Sequence, residues 1–418
     1  MDLKTLSGFG EIKKELKFDG FWDWFVAYND VHTLWRAQPT HLIVSTLFLV
    51  GGLLTFYHAL KSGGRFAHLW IGIICHGLVV EIVSYNLPDI DSFWHSQTSI
   101  IFLGRRLPLH IIFVYVVFIY TAAIFVDKLR LPTWSEPFAV GLIVVLIDYP
   151  YDLMAVKFVH WTWHDTDPNI FDRHYHIPWN SFYFHATFAA AFIFWFHFVR
   201  RFLISSKDRW MPGSFLKESL CTLLASLLGM PTGVILFIPN YHLLHDIYNL
   251  HSEVTFYLLL AAFVALILRG ILSLKTLPQH TRSLKDYLLL NYLVIYYLIF
   301  FGMALIGDPS SEVSIGLHEP IGPCEEKVAI KTAFGQTLYK RKYLCVTDYD
   351  ESYFNFSCLP NGKPSGKIGE YYTICGTPFE NRVEYIILML TITIIAAGVF
   401  LNIFYCTTVC KNTLKKKN

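Results

Sequence analysis

Apolar runs about twenty residues long recur along almost the whole of this chain, and no other feature constrains its fold so tightly. A helix rises about 1.5 Å per residue, so about twenty residues cross the roughly 30 Å of hydrocarbon in a bilayer. Nine such runs are readable, at about 41–61, 66–87, 109–127, 137–158, 181–200, 218–238, 253–274, 286–306 and 383–405. In hydrocarbon every backbone polar group must find a partner inside the protein, which leaves helices as the spanning form for runs of this length. Composition agrees. Of 418 residues, 54% are hydrophobic, 17% aromatic and 16% charged; a soluble chain carries about a quarter charged residues. The expected fold class is an all-α polytopic membrane protein of about nine transmembrane helices.

The connectors sort into two sets by charge. One carries Lys61 and Arg65; Lys128 and Arg130; Arg200, Arg201, Lys207 and Arg209; Lys275, Arg282 and Lys285; and the Lys411–Lys417 tail. The other carries Asp89, Asp91, Asp246 and Glu253, with Arg105 and Arg106 as basic exceptions. By the positive-inside rule the first set faces the cytosol, which places the C-terminus there and, with an odd span count, the N-terminus on the lumenal side. Eight spans with a cytosolic N-terminus is the competing arrangement. A net charge of +2 offers no basic domain, so nucleic acid is not an expected partner. The first 40 residues are too polar for a signal peptide, which leaves targeting to a transmembrane segment. The aromatic stretch 18–37, interrupted by aspartates, reads as an amphipathic helix lying in the interface. The expected organisation is an N-terminal interfacial or lumenal segment (1–40), an eight-helix membrane domain (41–306), a lumenal module (307–382), a last transmembrane helix (383–405) and a basic cytosolic tail (406–418).

The module holds Cys324, Cys345, Cys358 and Cys375, four of the chain's eight cysteines. An even number in an oxidising compartment reads as two disulfides, with three pairings open. Asn355-Phe356-Ser357 is an N-glycosylation sequon in the same module. Alternation around it points to short strands, and so to a small disulfide-stabilised β-rich cap whose protein partner, if it has one, is unidentified. Cys75 and Cys221, inside runs, read as small core residues. Cys406 and Cys410, just past the last run, are as readily palmitoylation sites as not. The chain ends TLKKKN. Lys415 and Lys416 match a dilysine signal for return to the endoplasmic reticulum, the plainer reading being that they anchor the last helix.

Ionisable residues inside spans are costly, and they concentrate at functional sites. The fourth run places Asp148 near its middle and Asp152 one turn later on the same face. Pro150 between them removes a backbone hydrogen bond and frees a carbonyl. Two carboxylates so close in hydrocarbon repel unless one titrates or pairs, which suits a general acid; the bland alternative is an interhelical structural hydrogen bond. The second run adds His76 and Glu81 as further catalytic candidates, and Gly229–Pro231 reads as a break in the sixth.

Between the fourth and fifth runs lies HWTWHDTDPNIFDRHYHIPWN, His160 to Asn180, with four histidines and three aspartates. Thirteen of the 18 histidines fall in or near the lumenal half of this topology. Histidine with carboxylate is the usual donor set for zinc and non-haem iron. The candidate ligands are His160, His164, His174, His176, His185, His242 and His245, with zinc or iron as the candidate metals and the cofactor otherwise unassigned. His160 and His164 have i,i+4 spacing if the fourth helix extends that far, and His242 and His245 have i,i+3 spacing. Absence of any His-His pair separates the chain from the histidine boxes of membrane di-iron enzymes. The competing reading is a belt of hydrogen-bonding histidines, with Trp161, Trp163 and Trp179 as interfacial anchors. Asp167-Pro168 starts a turn, and the segment reads as the lumenal lip of an intramembrane cavity.

From Asp148 to Phe182 the pattern DYPYDLMAVK, then WTW, then YHIPWNSF, resembles the core of the carotenoid 1,2-hydratase family. The matching positions are Asp148, Asp152, Trp161, Trp163, Tyr175, Pro178, Asn180 and Phe182. The resemblance implies a polytopic isoprenoid enzyme that adds water across a terminal double bond, with carboxylates near helix ends as its acids. The sequence departs from that family at Asp152-Leu153, where Asp-Pro is expected, and at Ile177, where glycine precedes the proline. The cysteine module and lysine tail have no counterpart in that family, and the chain as a whole resembles an animal multi-pass membrane family of unknown activity. The expected function is an enzyme acting on a lipid or isoprenoid in a lumen-facing polar cavity, by acid–base or metal-assisted hydration or hydrolysis. A transporter or lipid-binding protein using the same cavity, and a scaffold acting through the module, stand as alternatives. Expected partners are membrane lipid and an apolar small molecule.

Overall fold

The computed structural model describes residues 3–204, 208–274, 283–349, 351–364 and 368–414. Among them are nine helices long and apolar enough to cross a membrane. They are α1 (Pro39–Ser62), α2 (Phe66–Asn86), α3 (Leu109–Asp127), α4 (Glu136–Lys157), α5 (Trp179–Leu203), α6 (Phe215–Ile247), α7 (Ser252–Leu272), α8 (Leu284–Ile306) and α9 (Arg382–Tyr405). Eight of them fall within a few residues of the apolar runs. The sixth is longer, continuing through a π-helical turn at His242–Ile247. Nine is therefore the count of such helices among the described residues.

The helices sort into core and rim. In the apolar windows of α3 and α4, 78% of residues are buried, against 28% in α7 and 22% in α9. The central α4 runs unbroken through Pro150. Proline has no N–H, so it leaves the carbonyl four residues earlier without its helical partner. That carbonyl belongs to Leu146, and the Tyr297 hydroxyl donates to it at 2.8 Å, while the Tyr296 hydroxyl donates to the neighbouring Ile147 carbonyl at 2.7 Å. The expected break at Gly229–Pro231 does not occur: α6 is continuous there. Gly229 serves close packing instead, since a Cβ at that position would stand 2.8 Å from the His76 ring.

One end of the bundle is tied by buried charge. Arg65 Nε donates to Glu218 Oε2 at 2.7 Å, and Arg209 bridges Asp127 and Glu136. The other end carries all the strands. These are β1 (Val26–Tyr28), β2 (Phe93–His95), β3 (Ile100–Phe102), β4 (Leu107–Pro108), β5 (Trp161–Trp163), β6 (Arg173–His174), β7 (Ile177–Pro178), β8 (Val313–Ile321), β9 (Lys327–Lys331), β10 (Thr337–Arg341), β11 (Phe354–Asn355) and β12 (Gly369–Gly376). The cap is built on an antiparallel sheet of order β11-β12-β8, with Cys375 opposite both Val313 and Asn355, plus the hairpin β9–β10. Two disulfides close it, Cys324–Cys345 and Cys358–Cys375, and these select one of the three pairings the spacing allowed.

The cap sits on the loops. β5 pairs with β2, and Ser96 Oγ meets Ser314 Oγ at 2.5 Å. The N-terminal segment also packs here: Gly10 N donates to Thr373 Oγ1 at 3.1 Å and Leu16 N to Glu370 Oε1 at 3.0 Å. In place of the single amphipathic helix expected at 18–37, two short helices, Phe21–Phe25 and Val31–Ala37, flank β1, which pairs with β3. Cys221 is buried and Cys75 half-buried, as core residues. The side chains of Cys406 and Cys410, and Lys415 and Lys416 altogether, lie outside the described residues.

Candidate functional site

A cavity of about 320 Å³ lies between the helices at the capped end, a size typical of small-molecule sites of roughly 300–1,000 Å³. Its deep walls are apolar, from residues such as Ile111, Phe118, Val144 and Phe188. Its polar wall carries His76, Glu81, Asp152, Asn180, His185 and His242. The tip of the β9–β10 hairpin, Ile330 to Ala333, reaches over it from the cap. Trp161, Trp163, Asp167 and Asn169 of the histidine-rich loop line it too, so that loop does form a lip. Its tryptophans are not lipid-facing anchors, however. Trp161 and Trp179 are each only 5% exposed, packed inside the protein on Tyr151 and Phe256 respectively.

Two helices bring the reactive groups together. On α4, Asp148 and Asp152 share a face, as their spacing predicts. On α5, His185 faces them: one donor atom from each of the three lies within 4.8 Å of the others. His185 Nε2 is 3.3 Å from Asp148 Oδ1. Asp152 accepts from the Ser181 hydroxyl at 2.6 Å, one turn of α5 before His185. Asp148 is fully buried, one layer behind the wall, and meets only the Asp152 carboxyl and the His185 ring among the described residues. Among the described residues no lysine or arginine pairs with either carboxyl.

Glu81 enters the cavity from α2, held by two phenols. Tyr85 donates to Oε2 at 2.5 Å and Tyr115 to Oε1 at 2.8 Å. His76, five residues earlier on α2 and fully buried, keeps Nε2 without a partner. His95 on β2 also lines the cavity, a residue that sequence reasoning counted but did not single out. Burial drives its imidazole down to about 3, so it is neutral at physiological pH.

The remaining histidines scatter. α4 ends at Lys157, so His160 and His164 are not one turn apart on a helix. His160 stacks on His41 at 4.6 Å and shares a hydrogen bond with Thr40 Oγ1 at 2.9 Å. Burial, with His41 and His110 beside it, holds His160 well below the usual imidazole range. His164 turns toward the cap, its Nε2 2.7 Å from Glu319 Oε1. His174 pairs with the Tyr149 hydroxyl at 2.7 Å, and His176 lies 3.5 Å from Glu380. His242 and His245 both close on Asp246, at 2.6 and 2.9 Å, and His245 also reaches Asp172. Despite its burial, Asp172 is held below the carboxylate range by His245 and by the Ser252 N–H that starts α7. Of the seven histidines read as ligands, only His185 therefore joins the Asp148–Asp152 pair, and the loop histidines do not converge on one centre.

Fold and site together define a helical bundle of membrane-spanning proportions, with a disulfide-closed cap over a cavity that holds a buried carboxyl pair. The chain belongs to the family described as "Domain of unknown function (DUF7802)", whose model matches residues 12–408, nearly its whole length. No curated protein and no solved structure matches it.

Proposed function

We propose that this protein is a multi-pass membrane enzyme that adds water to, or hydrolyses, a lipid or isoprenoid chain held in the cavity. The observation that carries the reading is the placement of Asp152 and His185 in the wall of a largely apolar chamber, with Asp148 beside them behind the wall. Moving a carboxylate out of water without a partner costs several kcal/mol. Two of them on one helix face, with no cationic side chain to offset them, make an expensive arrangement for packing alone. Catalysis explains it, because proton transfer needs a carboxyl that is not locked in an ion pair.

The apolar walls select the substrate by burial of a hydrocarbon chain. The mouth under the β9–β10 hairpin, with Asn169, Asn180 and His242 near it, takes the polar end and admits water. Asp152, at the wall, is the group placed to exchange a proton with substrate. Asp148 and Ser181 position it, and Glu81 with its two tyrosines forms a second acid across the chamber. The capped end is read as lumenal because it carries the disulfides and the Asn355 sequon, with the basic tail on the cytosolic side. The endoplasmic reticulum, by way of Lys415 and Lys416, is the proposed residence.

The test compares lipids extracted from membranes containing the wild-type chain with those from membranes containing Asp152→Asn. The expected result is a substrate–product pair differing by the elements of water, or by a hydrolytic split, with the product lost in the variant. Identical lipid profiles, with flux of a lipid across the bilayer instead, would replace the enzyme by a carrier.

A further inference from the structure

We infer that Asp148, Asp152 and His185 bind one divalent first-row transition cation at the polar end of the cavity. The inference deepens the hydration or hydrolysis reading and rests on it for the purpose of the metal, though not for its presence; with the cation bound, Asp152 serves as a ligand and proton exchange passes to Glu81 across the chamber.

Three observations support the site. The first is charge. Among the described residues, Asp148 is fully buried and meets only the Asp152 carboxyl and the His185 ring, and Asp152 is met only by that carboxyl and a neutral hydroxyl. The other buried trio among the described residues, His164, Asp165 and Glu319, has Arg173 and Lys340 close enough to offset Glu319. No cationic side chain stands beside the Asp148 trio among the described residues.

The second observation is geometry. His185 Nε2 and Asp148 Oδ1 are 3.3 Å apart. A tetrahedral centre with bonds of about 2.0–2.1 Å puts its ligand atoms about 3.3 Å apart along each edge. The third atom, from Asp152, lies within 4.8 Å of the other two, so a rotation of one carboxylate completes a face of three donors. The third observation is access. Asp152 and His185 line the cavity while Asp148 closes the site from behind, which leaves the fourth position open toward bound substrate. Three protein ligands with one open position is the arrangement of catalytic rather than structural zinc. One imidazole with two carboxylates suits zinc, iron(II) or manganese(II), and the absence of thiolate disfavours copper(I).

The measurement is metal content of the full-length chain, purified in mild detergent without chelator and without a histidine tag. We expect about one first-row metal per chain in the wild type. Asp148→Asn and His185→Gln should each lower it tenfold or more, while His160→Gln and His164→Gln leave it unchanged. Because a variant at a buried position can misfold, a second readout uses the wild type alone. Cobalt(II) exchanged into the protein should show the visible absorption of a four-coordinate N/O site. A wild-type chain without metal and without that spectrum would overturn the inference, as would full metal occupancy in both variants. Metal bound without lipid turnover would leave the site standing and remove the enzyme reading. Lipid turnover that survives complete metal removal would keep the enzyme reading and overturn the catalytic purpose given to the metal.

Discussion

At the scale of single residues, the account turns on Asp152 and the side chains that hold it. Asparagine at this position keeps an oxygen for the Ser181 hydroxyl but cannot exchange the proton. Asp152→Asn is therefore expected to lower turnover about a hundredfold or more, the usual contribution of a positioned acid or base, with the folded yield in detergent unchanged. Equal loss of yield and turnover would instead make Asp152 structural. Gly229 supplies a second residue-scale test. A methyl group there would stand 2.8 Å from the buried His76 ring, so Gly229→Ala overpacks the α2–α6 contact. The expected cost is about 1–3 kcal/mol, read as a lowered midpoint of thermal unfolding. The pairing of Asp148 with Asp152 was readable in the sequence, because a four-residue spacing on one helix settles who faces whom. Their meeting with His185 was not, since nothing in the sequence says which faces of α4 and α5 touch. Gly229 was misread for the same reason: a glycine and a proline close together look like a helix break until the neighbouring ring that needs the space is known.

At the scale of elements, the junction between cap and bundle is where burial meets charge. Burial first, and Lys340 second, hold His164 down to about 4 from an ordinary 6.5. The folded state thus keeps it neutral while the unfolded chain takes up a proton below 6.5, so its contribution to stability is lost as pH falls from 6.5 through about 4. Glu312, at the start of the cap, has the opposite sign. Burial raises it to about 8 against the hydrogen bonds from Thr40, so the folded state favours its protonated form, and stability is lost as pH rises from 4.5 through about 8. Thermal melts across this range should show His164→Gln flattening the loss on the acid side and Glu312→Gln flattening the loss between neutrality and pH 8. Unchanged slopes in both variants would contradict the burial assigned to these groups. The disulfides offer a further test. Cys324–Cys345 and Cys358–Cys375 close loops of 21 and 17 residues in sequence separation. Replacing either pair by serine should destabilise the cap by about 3 kcal/mol, measured as protease susceptibility of residues 307–382. Peptide mapping that links Cys324 to any other cysteine would refute the pairing. Cysteine count and the sequon announced this module, but β2–β5 and β1–β3, which tie loops distant in sequence to one another at the capped end, could not be foreseen: strands of three residues carry too little periodicity to show a register.

At the scale of the whole molecule, nine apolar runs became nine helices, eight of them within a few residues of the expected bounds, since length and hydrophobicity are properties each run carries by itself. What the runs could not show was their order in depth, with α3 and α4 at the centre and α7 and α9 at the rim. That order decides which ionisable groups share the cavity. The proposed orientation puts Asn355 in the lumen, where its side-chain oxygen already accepts from the Ser357 N–H and hydroxyl in the turn after β11. Treatment with an endoglycosidase should then shift the mobility of the wild-type chain but not of Asn355→Gln, with an epitope at the C-terminus accessible only from the cytosol. The central claim, that the cavity adds water to a lipid-like substrate, is tested most directly by following the oxygen. The full-length chain, reconstituted with lipids of the endoplasmic reticulum in heavy-oxygen water, should label one lipid class at the oxygen it gains, and Asp152→Asn should abolish that label. A folded, glycosylated wild-type chain that leaves every lipid unlabelled would contradict the account.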